Sequence, residues 1–248
     1  MEIIPVIDIR HGLAVHAVKG ERSRYKPIET VHAHGADPID VARGLAALYP
    51  FETLYVADLD GIEGRGMETD VQRRLVAAWP GARVWIDDGA HRPPSRSSAI
   101  HHEKRVTVVG SETLPPSLPR PRAGARTGSE GWLADIGWGH RDDWILSLDF
   151  HDEDLLGPEW LLEEPSTWPS QVIAMTVRRV GTGAGADLKT VERIVKIAEA
   201  SRVYAAGGVR DRRDLEALRG VGAAGALVAT ALHAGTLKAR DIEQLAVI

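Results

Sequence analysis

Eight short apolar runs, most of them separated by segments of helical period, set the narrowest limit on what this chain can fold into. They are EIIPVIDI (2–9), TLYVAD (53–58), RVWID (83–87), RVTVVG (105–110), ILSLD (145–149), QVIAMTV (171–177), RVYAA (202–206) and GALVAT (225–230). Near-continuous Val/Ile runs mark strands buried on both faces, as in a parallel sheet covered by helices. Helix-period segments occupy 37–49, 68–79, 187–200, 211–219 and a closing stretch near 237–245. In the first of these, Asp37 precedes Pro38 in the order expected of an N-cap and a first helical position. Strands alternating with helices imply βαβ units. Eight such units in 248 residues fit a closed barrel better than an open doubly wound sheet. The expected fold is α/β, a single (βα)8 TIM barrel spanning 1–248. Two stretches break the pattern. Residues 114–131 are too rich in Pro, Gly and Arg for a helix and read as a long loop. Residues 151–168 offer only a short helix around GPEWLLEE.

The two halves resemble each other. RVWIDDG ends at Gly89 and RVYAAGG at Gly208, an offset of 119 that also separates Gly110 from Ala229. Asp8 and Asp149 stand 141 apart, the surplus falling in a longer first loop. Half-barrels of about 1–130 and 131–248 are expected, and such a repeat would set the two aspartates on opposite sides of one mouth.

Composition narrows function by exclusion. A net charge of −5 without any basic block argues against a nucleic-acid footprint. The absence of cysteine removes disulfides, thiol nucleophiles and cysteine-bound zinc. No signal-like N-terminus or membrane-length apolar run is present, so a cytoplasmic location with no membrane partner is the expectation. His32-x-His34 and His101-His102 lack a carboxylate or third ligand at metal spacing, and no metal is expected. Trp132, Trp138 and Trp144 read as local packing, and the oligomeric state is left open.

Asp8 ends the first apolar strand and Asp149 the fifth. In a closed parallel barrel the C-terminal strand ends converge on the face that carries the active site. Two carboxylates there can divide acid and base roles. The plainer alternative is that each caps its following loop. In VADLDG, Asp58 and Asp60 fall at a strand end on one face by period two, and Asp58 either contacts substrate or braces the mouth.

Across nearly the whole chain, the segments IPVIDIRHGLAVHAVKGERSRY, ADPIDVARGL, LYVADLDGIEG, VVGSETL, LSLDF, AAGGVRDRRDLEAL and GALVATALHAG resemble the family of ProFAR isomerase and the imidazole-glycerol-phosphate synthase cyclase. Gly20 follows Asp8 by twelve residues, the spacing of the isomerase branch. The resemblance implies an Amadori rearrangement of an aminoaldose to an aminoketose, with Asp8 as base and Asp149 as acid. It implies no cofactor and a phosphorylated small-molecule substrate, in histidine synthesis or in a one-carbon (methanopterin or methanofuran) cofactor pathway.

A glycine-rich turn followed by a helix start suits a phosphate. Gly207, Gly208, Ala229 and Thr230 are the strongest such group, and Gly110 and Ser111 form a second. Lys19 and Arg178 are further substrate-binding candidates. Departures from the family mark an altered substrate, smaller and singly phosphorylated. Its Gly-Gly-Gly after strand three is here Asp87, Asp88, Gly89, with Arg92 as the nearest cation in sequence. Its strand-six Thr falls on Met175 and its loop Asp on Val180. His16 stands for an Arg, and Lys19 for a Gln. Two other readings remain: a lyase or condensing enzyme using Lys19 as a Schiff-base amine, and a non-catalytic phosphosugar-binding paralogue.

Overall fold

The computed structural model describes residues 1–18, 21, 24–92, 103–115, 118, 120 and 140–246. Its eight barrel strands are β1 (Glu2–Arg10), β2 (Thr53–Asp58), β3 (Arg83–Asp87), β4 (Arg105–Gly110), β5 (Trp144–His151), β6 (Gln171–Thr176), β7 (Arg202–Ala206) and β8 (Gly225–Val228). Each pairs in parallel with the next, and β8 closes on β1 through Glu2↔Gly225 to Pro5↔Val228. The result is a (βα)8 TIM barrel, as the alternation of elements predicts.

Side-chain parity explains why these runs form it. In β1, Ile4 and Val6 face the barrel interior, whereas Ile3, Ile7 and Ile9 face the helix layer. In β3 the interior residue is Trp85, flanked by outward Val84 and Ile86. In β5 it is Ile145, with Leu146, Leu148 and Phe150 outward. Both faces are apolar, so each strand is buried twice over. Successive side chains alternate, and the pattern continues inward to Asp8, Asp87 and Asp149.

The helices are α1 (Pro38–Leu48), α2 (Leu59–Ile62), α3 (Thr69–Ala78), α4 (Trp160–Glu163), α5 (Leu188–Ile197), α6 (Arg212–Gly220), α7 (Thr230–His233) and α8 (Ala239–Ala246). Asp37, Asp187 and Asp211 each accept hydrogen bonds from the first-turn N–H groups of α1, α5 and α6. Such caps satisfy donors that the helix itself leaves unpaired. α4 is the short helix expected in GPEWLLEE. Thr230 is not part of strand eight: the ladder to β1 stops at Val228, Ala229 turns, and Thr230 opens α7. A short antiparallel ribbon, Leu13–His16 with Lys26–Pro27, folds back on β1 at the mouth. Lys19, His101, His102, Trp132 and Trp138, and most of the loop read at 114–131, lie outside the described residues.

Candidate active site

A cavity opens at the C-terminal end of the barrel, with about 960 Å³ of empty space including its mouth. Asp8, Asp149, Gly207, Gly208, Ala229 and Thr230 line it together. The rest of its wall includes Tyr55, Asp87, Glu112, Met175, Val177, Val180 and Gly181.

Asp8 is an inward position near the end of β1, two residues after Val6. Its carboxylate has no hydrogen-bond partner among the described residues, so it does not cap its loop. Burial, and then the charge of Asp87, push its pKa up to about 7. Desolvation disfavours the ionised form because low-dielectric surroundings solvate charge poorly.

Asp149 is held firmly. The Ser147 hydroxyl donates to its Oδ1 at 2.6 Å, and the Glu112 N–H reaches its Oδ2 at 3.3 Å. Its own N–H donates to Ser111 Oγ at 2.9 Å. Across the ladder it faces Met175, an apolar neighbour where the family carries Thr. Burial, followed by the Glu112 charge, raises its pKa to about 8, against the lowering effect of Ser147. The two aspartates stand four strands apart on one cavity and differ in how tightly they are held.

Gly207 and Gly208 have φ of 101° and 85°, a left-handed region that L side chains rarely adopt. A Cβ on Gly207 would lie 2.6 Å from Thr176 O, and one on Gly208 would strike Gly185 O. This wall is therefore bare backbone. Across the rim, Gly181 packs on the carbonyl of Ala17 so closely that no side chain fits between them.

Several residues singled out in the sequence sit elsewhere. Ser111, expected as a phosphate donor, is fully buried and engaged with Asp149. Gly110 does not line the cavity either; it packs beneath Asp149. Arg178, expected at the substrate, turns outward, donating to His151 Nε2 at 2.6 Å and pairing with Asp152 at 3.2 Å. Asp58 faces the helix layer and is a brace, accepting from Gly61 N, Glu68 N and Gln72 Nε2. Asp60 lies on α2 rather than on the strand and accepts from His11 N. Asp88 is paired with buried Arg105 at 2.7 Å, so its charge is neutralised away from the cavity. Arg92 is exposed and does not line the cavity.

Sequence reasoning missed Tyr55, Glu112 and Ser147 as site residues, and treated Asp87 only as an obstacle to phosphate. Parity was an available signal for Tyr55 and Ser147, which share the inward-facing register of Ala57 and Asp149. His233 is a structural residue: its Nε2 meets Val6 O at 2.8 Å, and burial pushes its pKa down to about 4. Among the described residues no group of three or more His, Asp or Glu could hold a metal ion. No helix among them is long and apolar enough to cross a membrane.

A family model described as "Histidine biosynthesis protein" matches residues 2–238. The chain belongs to this histidine biosynthesis family. Similar members include a 1-(5-phosphoribosyl)-5-((5-phosphoribosylamino)methylideneamino)imidazole-4-carboxamide isomerase (ProFAR isomerase) of Pyrobaculum aerophilum. It is 30% identical, over 95% of this chain and 97% of the relative. The isomerase of Myxococcus xanthus is 26% identical over 98% of each chain. An uncharacterised protein of Methanocaldococcus jannaschii is 28% identical over 99% of this chain and 97% of its own. Family membership supports an isomerase-type function.

Proposed function

We propose that this barrel is a sugar-phosphate isomerase of the aldose–ketose type that performs an Amadori rearrangement by acid–base chemistry. The observation that carries the reading is the placement of Asp8 and Asp149, inward-facing from β1 and β5, on one cavity that the Gly207–Gly208 backbone also lines. Asp149, protonated up to about pH 8, donates its proton to the ring oxygen of an aminoaldofuranose. The ring C–O bond breaks, and the nitrogen lone pair forms the C1=N Schiff base. Asp8, free of hydrogen bonds and ionised above about pH 7, removes the C2 proton. The electron pair moves to C1=C2, giving an enolamine that tautomerises to the aminoketose. Separate environments for acid and base let both operate near neutral pH.

Gly207, Gly208, Ala229 and Thr230 are assigned to a phosphate, which would fix the sugar against the two carboxyls. Positioning of this kind converts binding energy into rate. The substrate differs from the histidine intermediate, because Asp87 occupies the cavity wall where the family has glycine. Its pathway is a one-carbon cofactor route.

Two experiments test this. Asp8→Asn and Asp149→Asn are each expected to lower turnover of an identified aminoaldose phosphate, and unchanged turnover in both would refute the mechanism. The wild-type gene is expected not to rescue a histidine auxotroph lacking ProFAR isomerase. Growth would show that the strand-three change still admits the bisphosphate.

A further inference from the structure

We propose that the cavity takes a substrate bearing phosphate at one end and a protonated amine at the other, and that Asp87 is the residue that selects the amine. This rests on the reading of the cavity as a phosphosugar isomerase site and specifies its substrate class.

The argument starts from two consecutive carboxylates treated in opposite ways. Asp88 turns out of the barrel, and Arg105, itself buried, meets it at 2.7 Å. Asp87, one residue earlier, turns in. It is 7% exposed, lines the cavity, and receives only neutral donors, the Tyr55 hydroxyl at 3.1 Å and Gly89 N–H at 3.3 Å. The fold thus neutralises the outward charge with an arginine and leaves the inward one for something in the cavity.

Its surroundings say what that something is. Asp87 shares a ladder row with Asp8 through Ala57. A Cβ built on Gly110 would lie 3.1 Å from Asp149 Oδ2 and 3.9 Å from Asp87 Oδ2, so both carboxyls lean over the same backbone. Glu112 adds a fourth acid at this wall. Among the described residues lining the cavity there is no Lys, Arg or His. A second phosphate would meet Asp8, Asp87 and Glu112, which repel it wherever they are ionised, whereas an ammonium would favour their ionised forms and donate to the carboxylates. A metal ion is a poorer occupant, since no described set of three His, Asp or Glu is placed to ligate one. The glycine wall at Gly207–Gly208 supplies the opposite, anion-accepting end.

Burial also holds Asp87 near a pKa of about 7. An arriving ammonium favours its ionised form, so amine binding near neutral pH releases a fraction of a proton to solvent.

Isothermal titration near pH 7 with four probes tests the proposal: glucosamine 6-phosphate, glucose 6-phosphate, fructose 1,6-bisphosphate and inorganic phosphate. The amino sugar is expected to bind about tenfold tighter than glucose 6-phosphate, the order of one charge-assisted hydrogen bond. It should release protons on binding, and the bisphosphate should bind weakest. In Asp87→Asn the amine advantage disappears while affinity for inorganic phosphate is unchanged. A bisphosphate that binds tightest to the wild type, or an amine preference that survives Asp87→Asn, would overturn the inference. If that variant does not fold, the wild-type ranking and proton release decide alone. Loss of the ranking with phosphate still bound sinks only this inference. Failure of every probe, inorganic phosphate included, sinks the phosphosugar reading and this inference with it.

Discussion

Asp8 and Asp149 differ in support more than in position, and that difference is what turnover should report. A bare carboxylate at Asp8 and a doubly supported one at Asp149 predict a bell-shaped profile of kcat/KM, with limbs near pH 7 and pH 8. Asp8→Asn and Asp149→Asn should each lower kcat/KM by roughly 10²–10⁴-fold, the usual contribution of one general acid or base. Ser147→Ala removes the hydroxyl that holds Asp149 Oδ1 and lowers its pKa. The alkaline limb should therefore shift upward in that variant, read from the same profile. At this scale the sequence shows which residues face inward, because period-two alternation around Val6, Trp85 and Ser147 reaches Asp8, Asp87 and Asp149. It does not show what each one meets. Ser111 looks like a phosphate donor until the fold brings Asp149 beside it from 38 residues away.

Among the elements, strand limits were readable because both flanks carry strong signals. β3, β4 and β7 occupy the residues that their apolar runs predict. β8 was overextended to Thr230, since nothing local shows that its ladder to β1 ends at Val228. The loop after β6 was legible as an altered segment, but the outward turn of Arg178 depends on His151 and Asp152 at the end of β5. The turn after β7 carries a sharper expectation. Gly208→Ala must place a Cβ against the Gly185 carbonyl at a φ of 85°. It should cost on the order of 1–3 kcal/mol of stability, measured by denaturant unfolding. Inorganic phosphate affinity should fall in parallel, because the backbone that forms the anion wall is displaced.

Among the described residues, three aspartates have pKa values raised on folding, and this sets how stability responds to pH between acid and neutral. Groups of this kind hold protons in the folded state that the unfolded chain has already lost. Their contribution is complete below the unfolded value of 3.8 and disappears as pH rises through about 7 to 8. These groups should therefore make thermal stability decline between about pH 4 and pH 8. Asp87→Asn should be more stable than the wild type, and its advantage should grow by on the order of 2 kcal/mol between pH 5 and pH 8.5. At roughly 2–4 °C per kcal/mol for a chain of this size, thermal melts at the two pH values resolve it. An advantage that shrinks toward alkaline pH would contradict the buried placement of the three carboxyls. The closed architecture itself was legible from eight apolar runs, whereas the acidic wall was not, because it is assembled from strands that meet only in three dimensions.

The backbone contact between Ala17 and Gly181 makes the rim a doorway whose two leaves share a latch. Neither the ribbon after β1 nor the loop after β6 can swing aside alone without parting the carbonyl of one from the Cα of the other. A methyl group at 181 would wedge the leaves ajar. On the proposed mechanism, bulk water would then reach the imine, and hydrolysis would compete with rearrangement, releasing free amine and aldose in place of ketose.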